Sequence, residues 1–231
     1  FYARTTAGTL DAWPYDPATG RLGSQPLYSI SLSPVSGQVG GDAIDVSADG
    51  SLLYVPQDGF LRVYDAATGT AKGGVPGGSQ LFAVDWPPVS APAPSSTLTA
   101  RGAYIDRNTS TLQVFDTATD ALLGSVHLPA VNTNNTWDVA VTPDQTFAFV
   151  SDWTGRCLWV VDLTTIDLAG GTNPIPLSAY VTDVDITPDG KYVLANDGWY
   201  STSVVDVASR TKVSVSSGTG AAVAVGDGGT V

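Results

Sequence analysis

The chain has no glutamate and no methionine, and it carries one cysteine, one histidine and three lysines. Each scarcity excludes something. A lone Cys157 cannot form an internal disulfide. With only His127 beside it, an ordinary structural zinc site is ruled out, because that takes four nitrogen or sulfur ligands. Without glutamate, any acid–base pair must be built from aspartate. Glu and Lys are also good helix formers, whereas Asp favours turns and caps. No run of about 18 apolar residues occurs, so no membrane-spanning helix is expected. No Met stands even at position 1, and the chain is expected to be a mature or trimmed form whose targeting segment has been removed. Phosphate loops, dinucleotide fingerprints and Gly-x-Ser-x-Gly elbows do not occur.

What is abundant points one way. The 231 residues include 25 Gly, 15 Pro and 22 acids, all of them Asp. That composition suits many short strands joined by tight turns. The net charge of −12 disfavours nucleic acid and anionic membrane as partners, and no membrane insertion is expected.

One phrase recurs: an apolar or aromatic pair, an Asp, then small turn residues. It reads "PYDPATG" (14–20), "VYDAATG" (63–69), "VFDTATD" (114–120), "VVDLTTI" (160–166) and "VVDVASR" (204–210). The aspartates are Asp16, Asp65, Asp116, Asp162 and Asp206, spaced 49, 51, 46 and 44 residues apart. Asp suits the place because its carboxylate can accept amide N–H bonds from the turn that follows. A second phrase precedes it: "AIDVSADGSLLYV" (43–55), "DVAVTPDQTFAFV" (138–150) and "DVDITPDGKYVLA" (183–195). Its alternation has the period of a strand. A unit is therefore four strands: a, then b after the Asp-centred turn, then c ending in the recurrent Asp, then d. "TAKGGV" (70–75), "ALLGSVHL" (121–128) and "TKVSVSS" (211–217) read as strand d.

Four-stranded units of about 40–45 residues are the pattern of propeller blades. The stretch "LLYVPQDGFLRVYDAATGT" (52–70) resembles the YVTN-type β-propeller repeat, whose core reads roughly Tyr-Val-x-Asn, a short turn, then Val-x-Val-Ile-Asp-x-x-Thr-Gly. The resemblance runs over essentially the whole chain. It implies a propeller of the kind found in extracellular and surface proteins, related to lactonase-like propellers. A lactonase-type acid–His–Arg site does not carry over: Glu is absent, and His127 falls in an outer strand. One unit departs from the pattern, with "PPVSAPAPSSTLTA" (87–100) inserted between strands a and b as a surface loop.

The C-terminal "AAVAVGDGGTV" supplies a strand a and its turn with no strand b after it. Read on into the N-terminal "FYARTTAGTLDAWPYD", it makes a complete a–b–c run, and Asp206 and Asp16 then lie 41 residues apart. The expectation is a single all-β, five-bladed propeller. One blade is shared between 1–32 and 221–231, and the others span about 42–76, 81–129, 136–178 and 180–219. A truncated larger ring is the alternative.

Two groups of residues are candidates for function. On strand a, Asp45, Asp85 and Asp185 hold equivalent places and would line a central channel. There they either brace backbone of the neighbouring blade or hold a cation; calcium suits hard oxygen ligands. Otherwise no cofactor is expected. On the b–c turns and d–a links, Trp137, Trp153, Trp199 and Tyr200 stand beside Asp152, Asp197 and Asn134. Aromatics of this kind form binding hot spots, and they also pack between blades. Trp13 and Trp159 hold matching places in strand c and are expected to pack. Asn108 and Asn134 open glycosylation triplets. The expected function is non-catalytic binding of an extracellular protein or glycan by a secreted or cell-surface module. The alternatives are a lactonase-like or metal-assisted hydrolase using the channel aspartates, and a purely architectural module.

Overall fold

Alternating apolar and polar residues, cut every few positions by an Asp-centred turn, favour antiparallel pairing of each stretch with the next. The computed structural model describes residues 1–5, 8–32, 44–47, 49–57, 60–76, 81–85, 100–129, 136–196 and 201–217. Among them there is no helix, and every sheet is antiparallel. In chain order the five sheets of three or more strands are numbered I to V. Sheet I holds Tyr2–Arg4, Thr9–Ala12 and Tyr28–Ser31. Sheet II holds Asp45–Val46, Leu52–Gln57, Phe60–Asp65 and Ala71–Pro76. Sheet III holds Leu81–Asp85, Arg101–Asp106, Thr111–Asp116 and Leu122–His127. The main strands of sheet IV are Thr136–Val141, Phe147–Asp152 and Cys157–Asp162. Sheet V holds Asp183–Ile186, Tyr192–Asn196, Ser201–Asp206 and Thr211–Ser217.

The recurrent Asp residues do what their chemistry suggests. Asp65 Oδ1 accepts the Ala67 and Thr68 amides at 3.1 and 3.0 Å and the Thr68 hydroxyl at 3.0 Å. Asp16, Asp116, Asp162 and Asp206 accept turn amides in the same way. Four residues after each Asp the backbone turns left-handed. Gly20 and Gly69 take this up without a Cβ penalty, whereas Asp120, Ile166 and Arg210 adopt it at φ of 56°, 54° and 54°. The a–b turns repeat a second device. Asp49, Asp144 and Asp189 each accept a Ser or Thr hydroxyl from two residues before and an amide from two residues after. These donors pull the Asp49 and Asp189 carboxyls down to about 2, the Ser47 hydroxyl acting most on the first and Lys191 on the second.

Sheets adjacent in sequence pack face to face. Leu10 and Ile30 of sheet I meet Leu53, Val55 and Tyr64 of sheet II. Tyr54, Leu61 and Val75 of sheet II meet Tyr104 and Phe115 of sheet III. Sheet IV is buried on both faces. Val139, Ala148, Val150 and Val161 pack on Ile105, Leu112 and Val114 of sheet III, while Ala140, Phe149, Leu158 and Val160 pack on Val184, Val193 and Val205 of sheet V. This explains why "CLWVV" reads as a continuous apolar run and not an alternating one. Burying a ring such as Phe149 completely contributes about 2 kcal/mol relative to exposure. Gly102 leaves room for Phe115, since a Cβ there would lie 2.4 Å from its ring.

In two sheets the outer strand differs from a single continuous strand d. In sheet IV, strand c pairs with Asp167–Leu168 at one end and with Ile175–Pro176 at the other. The side chain of Asn173 bridges the gap: its Oδ1 accepts the Val160 amide at 3.0 Å, and its Nδ2 donates to the Val160 and Ala169 carbonyls at 2.8 and 3.0 Å. Next to sheet I, Tyr15–Asp16 and Arg21–Leu22 form a separate two-stranded sheet, while Tyr28–Ser31 pairs with Thr9–Ala12. Sheet I has three strands among the described residues, and Tyr2–Arg4 forms its edge. The expected strand partner at 221–231 and the 87–99 insertion lie outside the described residues.

Candidate functional site

An antiparallel meander puts all b–c turns and d–a links at one end of the sheets, and all a–b and c–d turns at the other. Thr136, at the start of strand a, pairs with Asp152 at the end of strand b. At this end side chains from sheets III and IV and from the link between sheets IV and V form a continuous stack. The Arg107 guanidinium lies over the Trp137 ring, 4.1 Å from its centroid. Trp137 and Trp153 are 5.4 Å apart and tilted by 35°. Trp153 stacks on Tyr180 at 5.0 Å and 27°. The Arg156 guanidinium covers Tyr180 at 4.4 Å, and its Nη2 donates to the Tyr180 hydroxyl at 2.9 Å.

The stack is anchored at one end and open at the other. Arg107 is buried, and its pKa is lowered by that burial. Trp137 and Trp153 are half-buried, while Tyr180 and Arg156 are exposed. Each ring has a neighbour on both faces. The surface therefore presents ring edges, a hydroxyl and a guanidinium, all held in place by stacking.

Two expected residues, Trp137 and Trp153, thus come together. Asp152 lies elsewhere: it is fully buried beneath the turn. Its Oδ1 accepts the Gly155 amide at 2.9 Å, and its Oδ2 accepts from Trp159 Nε1 at 3.2 Å. This carboxylate shapes the turn that displays Trp153. Gly155 is required there, because a Cβ would lie 2.6 Å from Asp152 Oδ2. Asn134, Asp197, Trp199 and Tyr200 lie outside the described residues. Arg107, Arg156 and Tyr180 carry no motif that marks them in the sequence. The one sequence signal at Arg156 is its place at the end of "DWTGR", where the backbone is left-handed at φ 52°.

Asp45 Oδ1 accepts the Val46 amide and Asp185 Oδ1 the Ile186 amide, each at 2.7 Å. The side chain of Asp85 lies outside the described residues. Asp138, two positions earlier in the repeat, reaches across to the next sheet. Its Oδ2 accepts the Val184 amide of sheet V at 2.9 Å, and its own amide donates to Ser151 Oγ at 2.9 Å. Desolvation among the inner strands holds Asp138 well above the usual carboxylate range. The Val184 amide opposes this, and the neighbouring Asp183 carboxyl adds to it. Among the described residues, no three His, Cys or Asp side chains converge as metal ligands.

Neither the thiol nor the imidazole is arranged as a nucleophile or base. Burial pushes the Cys157 thiol up to about 12. His127 is exposed on the outer strand of sheet III, where Nδ1 donates to the Thr109 carbonyl at 3.0 Å.

No protein-family model matches the chain, and no curated protein matches it. Among solved structures, 1296 chains resemble it, a breadth that marks a widely shared architecture and selects no activity. One of them is entitled Kuenenia stuttgartiensis hydrazine synthase, with a TM-score of 0.62 and 21% identity over 81% of this chain and 53% of that one. The chain spans about half the length of that structure's chain, and the likeness is one of fold.

Proposed function

We propose that the chain is a five-bladed propeller acting as a non-catalytic binding module at the cell surface or outside the cell. In this reading the sheets are blades, and residues 221–226 add the missing inner strand to sheet I beside Tyr2–Arg4. The support is the strand count: among the described residues sheets II, III and V have four strands each, whereas sheet I has three and ends at Tyr2–Arg4. Deleting residues 221–231 should then open the ring, seen as a large fall in melting temperature or as aggregation. A deletion variant that melts like the parent would refute closure.

The observation that carries the binding reading is the Arg107–Trp137–Trp153–Tyr180–Arg156 stack. Trp, Tyr and Arg dominate binding hot spots, and rings already ordered by stacking lose little entropy on association. Of the two partner classes, the covered ring faces favour a protein surface over a glycan, because sugar rings need an open aromatic face. The hydrolase alternative would draw on Asp45, Asp85 and Asp185, of which Asp45 and Asp185 each accept an amide of their own strand. The test is a screen of the protein against a panel of extracellular proteins and a glycan array, repeated with Arg156→Ala and Tyr180→Ala. Binding to at least one target should fall tenfold or more, by about 1.4 kcal/mol, with the melting temperature retained. Undiminished binding by both variants would remove the site.

A further inference from the structure

At the opposite end, two seams built from the same kind of turn close differently. The a–b turn of sheet IV holds Gln145 in the left-handed conformation, at φ 60°. Its side chain is buried, and Oε1 accepts the Arg101 amide of sheet III at 2.8 Å. That side chain stands in the seam between sheets III and IV. Sheet V has Gly190 at the same place in the same turn, at φ 70°. It has no side chain to enter the seam, and here a cavity of about 480 Å³ lies between sheets IV and V. Pro143, Asp144 and Phe147 line it on one side, and Pro188, Val207 and Arg210 on the other. The volume is in the range of small organic ligands.

The wall chemistry narrows the ligand. The prolines, Phe147 and Val207 are apolar. Two of the charged groups at the cavity are already engaged. The Arg210 guanidinium lies over Phe147, 4.7 Å from its centroid, and donates to the Gly170 carbonyl. Asp189 Oδ2 pairs with Lys191 Nζ at 2.8 Å. Asp144 differs. Its Oδ1 accepts from the Thr142 hydroxyl, the Thr146 amide and the Thr146 hydroxyl, while Oδ2 takes no hydrogen bond among the described residues. Partial desolvation raises the pKa of this exposed carboxyl, but the Thr142 and Thr146 donors outweigh it and leave Asp144 below the ordinary value, hence ionised at neutral pH. The chain's net charge of −12 draws cations toward any such group.

We propose that the cavity beside Gly190 binds an organic cation, an amine or guanidinium on an apolar stem. The head pairs with Asp144, and the stem lies against Pro143, Pro188 and Phe147. The cation arrives either as a small free molecule or as a basic side chain of a partner segment; the recognition chemistry is the same. The site is at the other end of the sheets from the arginine–aromatic stack and does not depend on it.

Calorimetric titration tests this with agmatine, N-acetyl-lysine methylamide, a lysine-bearing hexapeptide and the same peptide acetylated on its lysine. One-to-one saturable binding of a cationic probe is expected. Asp144→Asn keeps the Oδ1 acceptor of the turn and removes the charge, and should weaken binding at least about tenfold, the scale of one lost charge-assisted hydrogen bond. Gly190→Gln copies Gln145 and should weaken binding by placing a side chain in the cavity while Asp144 remains. Acetylating the lysine should abolish it. Binding of the free amines assigns a small-molecule ligand; binding of the peptide alone assigns a partner segment. The proposal is overturned if Asp144→Asn binds like the parent, if the acetylated peptide binds as well as the free one, or if no cationic probe saturates at millimolar concentration. If Gly190→Gln fails to fold, Asp144→Asn decides alone, its melting temperature serving as the control.

Discussion

The seam between sheets III and IV and the seam between IV and V join the same kinds of strands through the same turns, yet they are held by different chemistry. Both have an apolar middle. At the III–IV seam the polar contacts among the described residues include an amide side chain, Gln145 on the Arg101 amide, and a guanidinium on a ring, Arg107 over Trp137. Neither changes charge near neutrality. At the IV–V seam a carboxyl, Asp138, crosses to the Val184 amide, and sheet III has Ala83 at the position equivalent to Asp138. That seam also has Arg210 over Phe147 and donating to the Gly170 carbonyl, and Lys212 Nζ donating to Ser178 Oγ at 2.8 Å. The repeat therefore specifies the turns. What closes a seam is decided by positions where the repeat leaves the residue free.

Two perturbations sharpen this contrast. The larger is Gln145→Ala, which leaves the half-buried Arg101 amide without its acceptor. It should cost about 1–3 kcal/mol, read as a lower denaturation midpoint in urea. An unchanged midpoint would mean that water replaces the side chain and the plug is dispensable.

The smaller effect is on pH dependence and belongs to the other seam. Asp138 is raised in the folded state, so the folded form binds more protons than the unfolded one above the ordinary carboxylate value of 3.8. Its contribution is fully present below that value and is lost as pH rises through the folded pKa. Asp49 and Asp189 act in the opposite sense: their contribution is present above 3.8 and fades as pH falls toward about 2. Asp138→Asn keeps an oxygen for the Val184 amide and cannot titrate. Melting curves between pH 4 and neutrality should therefore fall less steeply in the variant than in the parent, with the acid limb below pH 4 common to both. Parallel curves would place the proton elsewhere.

Strand order and turn chemistry were legible in the sequence because their causes are local. Each recurrent Asp finds its donors within three residues, so the motif and its structure travel together. The split outer strands were not legible. In "DLAGGTNPIPL" the residue that repairs the ladder, Asn173, acts on Val160, and no periodicity marks that contact. At the candidate site, Trp137 and Trp153 stood out as large rings on turn sequences. Arg107, Arg156 and Tyr180 did not, because what distinguishes them is contact with a residue 24 to 30 positions away. Asp152 misled for the complementary reason: a polar residue beside a turn reads as exposed, whereas Trp159 and Gly155 draw its carboxylate inward.

By itself, the sequence determined that this chain folds into short antiparallel strands in repeated four-strand units, since alternation and Asp-centred turns act within a few residues. Only the tertiary structure decided which faces are covered twice, which arginine lies on which ring, and where a seam stays open. Those outcomes depend on side chains from different sheets competing for one space. A glycine or a glutamine at the same turn position is locally acceptable in either case, and the difference appears only when a second sheet is packed against it.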